Sequence, residues 1–344
     1  MKAALLTDIR KIDVRDVSQP FIQKETDVLL RVEIVGICGS DLQYYSTGKI
    51  GRDVVEFPFT IGHECVATVE QVGQEVKRVK PDDRVVVDPA VSCGTCDQCH
   101  KNRPNTCRYL RFLGCPGQLE GSLAEFVVMP ESNCYLLGEN IDTKLGILAE
   151  PLSIGIYSIR LLGELPISSI AILGAGTIGL SVGLAAEDIG IDKIYFTDKI
   201  DDRVEVSRKA GAIWAGNPDR MEIVEEIKGI EPSGLDAVFE CCGDQEALDQ
   251  AVDLLKPGGK LMILGIPEID RVAFDAHMLR RKEITVQNVR RQNGCISAAI
   301  DFIARKKSDL DFMVTHSFRL EETQRAFDLV ENYRDGVIKA TIHP

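Results

Sequence analysis

Ile172-Leu173-Gly174-Ala175-Gly176-Thr177-Ile178-Gly179 spells G-x-G-x-x-G directly behind a buried-strand run, Ser169–Leu173, and in front of a helix reaching about Ile189. The first glycine permits the tight turn, the second lets a pyrophosphate approach the backbone, and the third lets helix and strand pack closely. The helix N-terminus then offers its free N–H groups to the phosphates. Asp198 stands about twenty residues further on, behind the strand Ile194–Thr197, where an acid binds ribose hydroxyls. Strand, turn, helix, strand and acid together predict a dinucleotide site formed by Gly174, Gly176, Thr177, Ile178, Gly179 and Asp198, with Arg203 beside it. A carboxylate at 198 repels a 2′-phosphate, so NAD is expected over NADP. Lys199 and Arg203 are cations close enough to qualify that preference.

Outward from this motif the alternation continues. Asp201–Lys209 reads as a helix ended by Gly211, Ala237–Glu240 as a strand, Asp244–Leu255 as a helix capped by Asp244, and Pro257-Gly258-Gly259 as a turn. Lys260–Leu264 and Ile284–Val286 read as further strands. Strands alternating with helices imply βαβ units and a doubly wound parallel sheet. Before Glu150 the signals differ. Val28–Val35, Cys65–Val72 and Arg84–Val87 are short runs rich in β-branched residues, and helical periodicity is weak, so that part reads as β-rich and partly barrel-like. The tail is mixed, with helices around Ser297–Lys306 and Glu321–Asn332 and a strand over Val337–Ile342. The fold class is α/β.

The 344 residues suit about two domains. Forty Lys and Arg against 53 Asp and Glu give a net charge of −13, which repels phosphate backbones and anionic headgroups; nucleic-acid and membrane-surface partners are not expected. No secretory leader is legible, because Asp8 and Arg10 interrupt the opening apolar run. The uncharged stretch Leu165–Ala186 has the length of a membrane span, but Pro166 and its four glycines suit a strand–turn–helix.

Eleven cysteines include a tight cluster, Cys93-x₂-Cys96-x₂-Cys99-x₇-Cys107. In a long chain such clustering reads as a metal site in a reducing compartment, hence the cytoplasm, and not as a disulfide framework. Four thiolates satisfy a closed tetrahedral zinc; an iron–sulfur cluster uses a related set. With no open coordination position the site is expected to be structural. Cys38, His63, Glu64 and Glu150 are dispersed, but a mixed Cys/His/Glu set suits a catalytic zinc with an exchangeable position.

Together these residues resemble the zinc-dependent medium-chain dehydrogenases along the whole chain. Gly62-His63-Glu64, the four-cysteine lobe and Gly174–Gly179 carry the likeness. Val35-Gly36-Ile37-Cys38-Gly39-Ser40-Asp41, Gly48-Lys49-Ile50-Gly51 and Glu150-Pro151-Leu152-Ser153 point to the polyol (sorbitol/xylitol) dehydrogenase branch. The resemblance implies a GroES-like catalytic domain over 1–153 and 290–344, with a structural zinc lobe over about 88–115, interrupted by a Rossmann NAD-binding domain over 154–289. It implies two zinc ions per chain: Cys93, Cys96, Cys99 and Cys107 hold the structural one, and Cys38, His63 and Glu64 hold the catalytic one, with Glu150 binding directly or through water. It further implies Ser40 as proton relay, His63 and Glu150 at the catalytic centre, Tyr44 and Arg290 as substrate contacts, and a homo-oligomer, dimer or tetramer.

Two departures bear on the substrate. Gln43 stands where the branch often has a His, and an amide cannot titrate. Arg291 stands where an aromatic is common, as a surface charge or as a contact for a sugar acid or sugar phosphate. The expected activity is hydride transfer from a secondary alcohol of a polyol to NAD. The alternatives are a sugar-acid, sugar-phosphate or L-threonine dehydrogenase and, more remotely, a non-catalytic NAD-binding protein.

Overall fold

A computed structural model describes residues 1–163 and 166–344, the side chain of Ser308 apart. The chain divides into two compact units, Met1–Glu150 with Ile296–Pro344, and Pro151–Cys295.

After an antiparallel pair of strands, Lys2–Asp8 and Lys11–Asp16, the first unit contains strand β1 (Asp27–Gly36), helix α1 (Gly39–Thr47), β2 (Glu64–Val72), β3 (Arg84–Val87), β4 (Phe126–Pro130) and β5 (Cys134–Leu136). Its β-branched runs form strands because such side chains pack well on a pleated, half-buried surface. Helix α1 escapes the periodicity because it is short and buries Asp41 among Tyr44 and Tyr45. Helix α2 (Ala149–Arg160) runs across the division between the units.

The second unit continues with β6 (Ser169–Leu173), α3 (Thr177–Asp188), β7 (Lys193–Thr197), α4 (Asp201–Ser207), β8 (Ala212–Gly216), β9 (Leu235–Glu240), α5 (Gln245–Leu254), β10 (Leu255–Ile263) and β11 (Thr285–Asn288). The order across its sheet is β8-β7-β6-β9-β10-β11, and every pair is parallel. This is the Rossmann order, with its switch point between β6 and β9. Every residue of β6 and β9 is buried, as helices on both faces require. Strand β8 went unread in the sequence because it is an edge strand with only Gly216 buried. The expected turn at Pro257-Gly258-Gly259 lies inside β10: the register steps from Leu235↔Leu255 to Ala237↔Lys260, and Gly258 takes φ +78° where the chain bulges. Leu165 of the uncharged stretch lies outside the described residues; from Ser169 on, that stretch forms β6, the glycine turn and α3. Among the described residues no helix is long and apolar enough to cross a membrane.

The tail returns to the first unit as α6 (Ile296–Lys306), β12 (Val314–Arg319), α7 (Thr323–Glu331) and β13 (Lys339–His343). Its strands complete a sheet ordered β5-β3-β2-β1-β13-β12, with β4 also pairing β1. The β1/β13 pairing brings residues from the two ends of the sequence beside one another.

Candidate functional site

Cys38 caps α1 and Asp41 closes the cap: its Oδ2 accepts the Cys38 N–H at 3.0 Å. The other oxygen accepts the Gly62 N–H at 3.1 Å and lies 3.3 Å from His63 Nδ1. One carboxylate thus joins the Cys38 turn to the His63 turn. Gly62 takes φ +95°, and a Cβ there would meet Leu123 Cγ at 2.9 Å. The β1/β2 register sets Gly36 opposite Glu64, and a Cβ on Gly36 would fall 2.3 Å from Glu64 Oε2. The missing side chain leaves the space the carboxylate fills.

Cys38, His63 and Glu64 consequently present a sulfur, a nitrogen and an oxygen within 4.8 Å of one another. With bonds of about 2.0–2.3 Å, ligand atoms on one zinc stand roughly 3–4.5 Å apart, so the trio fits one ion. With Asp41 against Nδ1, Nε2 of His63 would be the atom to hold a metal, as in the usual carboxylate–histidine–metal arrangement. Burial disfavours the imidazolium, but the charges of Asp41 and Cys38 outweigh it and raise the His63 pKa. Glu150 is buried and stands outside the trio. Burial pushes its carboxyl up to about 7, against the opposing pull of His63.

Lys339, on β13, lies beneath the trio. Its Nζ donates to both oxygens of Glu64 at 2.8 and 2.7 Å and to the Ile37 carbonyl at 3.0 Å. Both side chains of this pair are almost wholly buried. Sequence reading missed Lys339 and gave Asp41 no role. The available signals were a charge inside the buried strand Val337–Ile342 and an Asp three residues past Cys38, where a capping box needs it. It also missed Phe112, whose ring centroid is 5.1 Å from that of His63.

Ser40 is half-buried in the first turn of α1, with Gln43 one turn on. Tyr44 is buried in the core, and its hydroxyl meets Cys115 Sγ at 3.5 Å. Arg290 and Arg291 belong by their contacts to the second unit. Arg290 is exposed; Arg291 is half-buried at φ +55°.

In the four-cysteine lobe the sulfurs lie 3.5 Å (Cys93–Cys107), 3.6 Å (Cys96–Cys99), 3.8 Å (Cys96–Cys107) and 4.0 Å (Cys93–Cys99) apart. A zinc with 2.3 Å bonds to four sulfurs sets the tetrahedral edge at about 3.8 Å. This spacing fits one ion and is too tight for a cluster of several irons. Backbone donors back the charge: Thr95 N–H points at Cys93 Sγ (3.4 Å) and Tyr109 N–H at Cys107 Sγ (3.4 Å). The Thr95 donors draw the Cys93 thiol down to about 6.

In the second unit Gly174 takes φ +105° against Cys241, and a Cβ on Gly179 would fall 1.8 Å from the Gly174 carbonyl oxygen. No other residue permits that turn and that packing. Gly176 caps α3, whose first two residues are Thr177 and Ile178. Asp198 accepts the N–H of Ala175 at 2.8 Å and of Ile200 at 2.8 Å, which ties the acid to the glycine loop. The Arg203 guanidinium lies against Gly176.

The family described as "Alcohol dehydrogenase GroES-like domain" matches residues 24–139, and "Zinc-binding dehydrogenase" matches 177–305. Sorbitol dehydrogenase of Bacillus subtilis is 34% identical over 345 residues, covering 100% of this chain and 97% of that protein. This chain belongs to the zinc-dependent medium-chain dehydrogenases. Within that family it falls in the branch of the sorbitol dehydrogenases, and it is an oxidoreductase of the alcohol dehydrogenase type. An Escherichia coli oxidoreductase/dehydrogenase of unknown specificity has the same fold, with TM-score 0.92 and 33% identity over 99% of this chain and 98% of the other. A zinc-binding dehydrogenase of Sinorhizobium meliloti, bound to NADP, gives TM-score 0.89 and 30% identity over 100% and 99%. The dehydrogenase's first unit is the GroES-like one and its second the Rossmann one.

Proposed function

We propose that this dehydrogenase oxidises a secondary hydroxyl of a polyol or sugar alcohol, with NAD as hydride acceptor. The convergence of Cys38, His63 and Glu64 carries the reading, and the full-length similarity to a sorbitol dehydrogenase gives the substrate class. Two zinc ions per chain belong to it: one held by Cys38, His63 and Glu64 with Glu150 nearby, the other by the four-cysteine lobe. When bound, the first zinc polarises the substrate hydroxyl as a Lewis acid, and NAD accepts the hydride.

The chain's own residues supply position and proton handling. Asp41 fixes the His63 ring, and Lys339 neutralises and orients Glu64. Ser40, two residues past Cys38, passes the hydroxyl proton outward; Gln43 cannot take it, because an amide does not titrate. The glycine loop and the start of α3 receive the pyrophosphate, and Asp198 takes the ribose hydroxyls and excludes a 2′-phosphate. The NADP in the Sinorhizobium relative is a property of that protein. Arg290 and Arg291 are our candidates for substrate contact. Tyr44, with its hydroxyl on Cys115, offers the substrate an aromatic wall and no free hydroxyl. A homo-oligomer in the cytoplasm completes the reading.

The test is a steady-state screen of polyols, sugar acids, sugar phosphates and amino alcohols with NAD and with NADP. Turnover of a polyol with NAD is expected. Preference for a sugar acid or phosphate shifts the assignment to the alternative class, and a chain that binds NADH, turns over nothing and holds one zinc instead of two overturns it.

A further inference from the structure

Lys199 directly follows Asp198 at the carboxyl end of β7, where a cation would welcome the 2′-phosphate of NADP. Its side chain is committed elsewhere. Nζ lies 3.0 Å from Asp244 Oδ2 and 3.4 Å from Glu246 Oε2. Asp244 is the cap of α5, held by its other oxygen to the Glu246 N–H at 3.1 Å, so the acceptor of the pair is anchored. The sheet order gives the contact a second property. Strands β7 and β9 flank β6 on opposite sides, and Lys199 follows the first while Asp244 follows the second. The ion pair therefore crosses the carboxyl end of β6, where the Gly174–Gly179 loop begins and where doubly wound sheets bind their ligands.

We infer that Asp244 and Glu246 act as specificity residues for the cofactor: they clamp Lys199 across the dinucleotide crevice and deny its charge to a 2′-phosphate. The inference rests on the reading of Gly174–Gly179 and Asp198 as the dinucleotide site. Asp198 supplies direct repulsion, and the clamp withdraws one of the two nearby cations, Lys199 and Arg203, that would offset it. These side chains are roughly half exposed, and such pairs add little to stability. Their effect is on local charge: two carboxylates against one ammonium leave this rim net negative.

The experiment uses the zinc-loaded protein and measures NADH and NADPH dissociation constants by fluorescence titration. The double variant Asp244→Asn, Glu246→Gln keeps side-chain size and a good helix cap while freeing Lys199. The NADPH:NADH affinity ratio is expected to rise about tenfold, which corresponds to about 1.4 kcal/mol. Adding Lys199→Ala to the double variant should abolish that gain. An unchanged ratio in the double variant, or a gain that survives the loss of Lys199, overturns the clamp. Failure of the underlying site reading looks different: the unmodified protein would then bind neither cofactor.

Discussion

Lys339 and Glu64 form a buried, two-pronged ion pair although 275 positions separate them in the chain. Removing one partner of such a pair leaves the other charge buried without compensation, which costs about 3–5 kcal/mol. Lys339→Met is accordingly expected to lower unfolding stability by that amount, read by chemical denaturation. It should also change how tightly zinc is held beside Glu64. A variant within about 1 kcal/mol of the parent with unaltered zinc affinity would show that the pair is not integral to the site.

Asp41 is expected to act through His63. Asp41→Asn keeps the size but loses the charge facing Nδ1. Loss of such an outer partner usually costs 10–100-fold in metal affinity. Chelator competition should show that drop for one zinc per chain, with the four-cysteine zinc unmoved. Equal weakening of both ions would contradict the assignment.

Cys96→Ser breaks a sulfur set whose edges match one tetrahedral ion. The variant should lose one zinc per chain, keep the other and unfold at lower temperature. A folded variant with both ions and no turnover would refute a structural role for the lobe.

Asp236, in the second unit, provides a pH test on a residue that belongs to neither metal set. Burial raises its pKa, but Lys256 and the backbone and hydroxyl donors of Ser168 and Ser169 outweigh it and hold the carboxyl at about 2. A depressed folded-state pKa stabilises the protein above the unfolded value, near 4, and that stability disappears as pH falls through about 2. Asp236→Asn should therefore cost about 2 kcal/mol at pH 7, with the difference from the parent shrinking between about pH 4 and 2. A difference independent of pH would mean that the carboxylate charge is not what stabilises this corner.

Much of the dinucleotide unit is legible in the chain, because each element is local. Ser169–Leu173 is a strand by its run of buried residues, Gly174–Gly179 a turn by glycine's freedom, and Asp244 a cap by its position. The four-cysteine lobe is legible for the same reason: its ligands lie within fifteen residues, and short loops set their geometry. Edge strand β8 and helix α1 are not, since neither carries a strong apolar period.

The amino-acid sequence by itself determined the α/β class, the phosphate loop and the cysteine set, because those depend on residue type and near spacing. It supplied Cys38, His63 and Glu64 only as chemical types matched to a family. Tertiary structure decided that the three converge, through the β1/β2 register and the empty space at Gly36. It also decided that Asp41 serves both turns and that Lys339 answers Glu64, through the pairing of β13 with β1. The physical reason is range. Propensity and capping act over a few residues, whereas a buried carboxylate takes its partner from whatever the sheet order brings alongside, however distant in the chain.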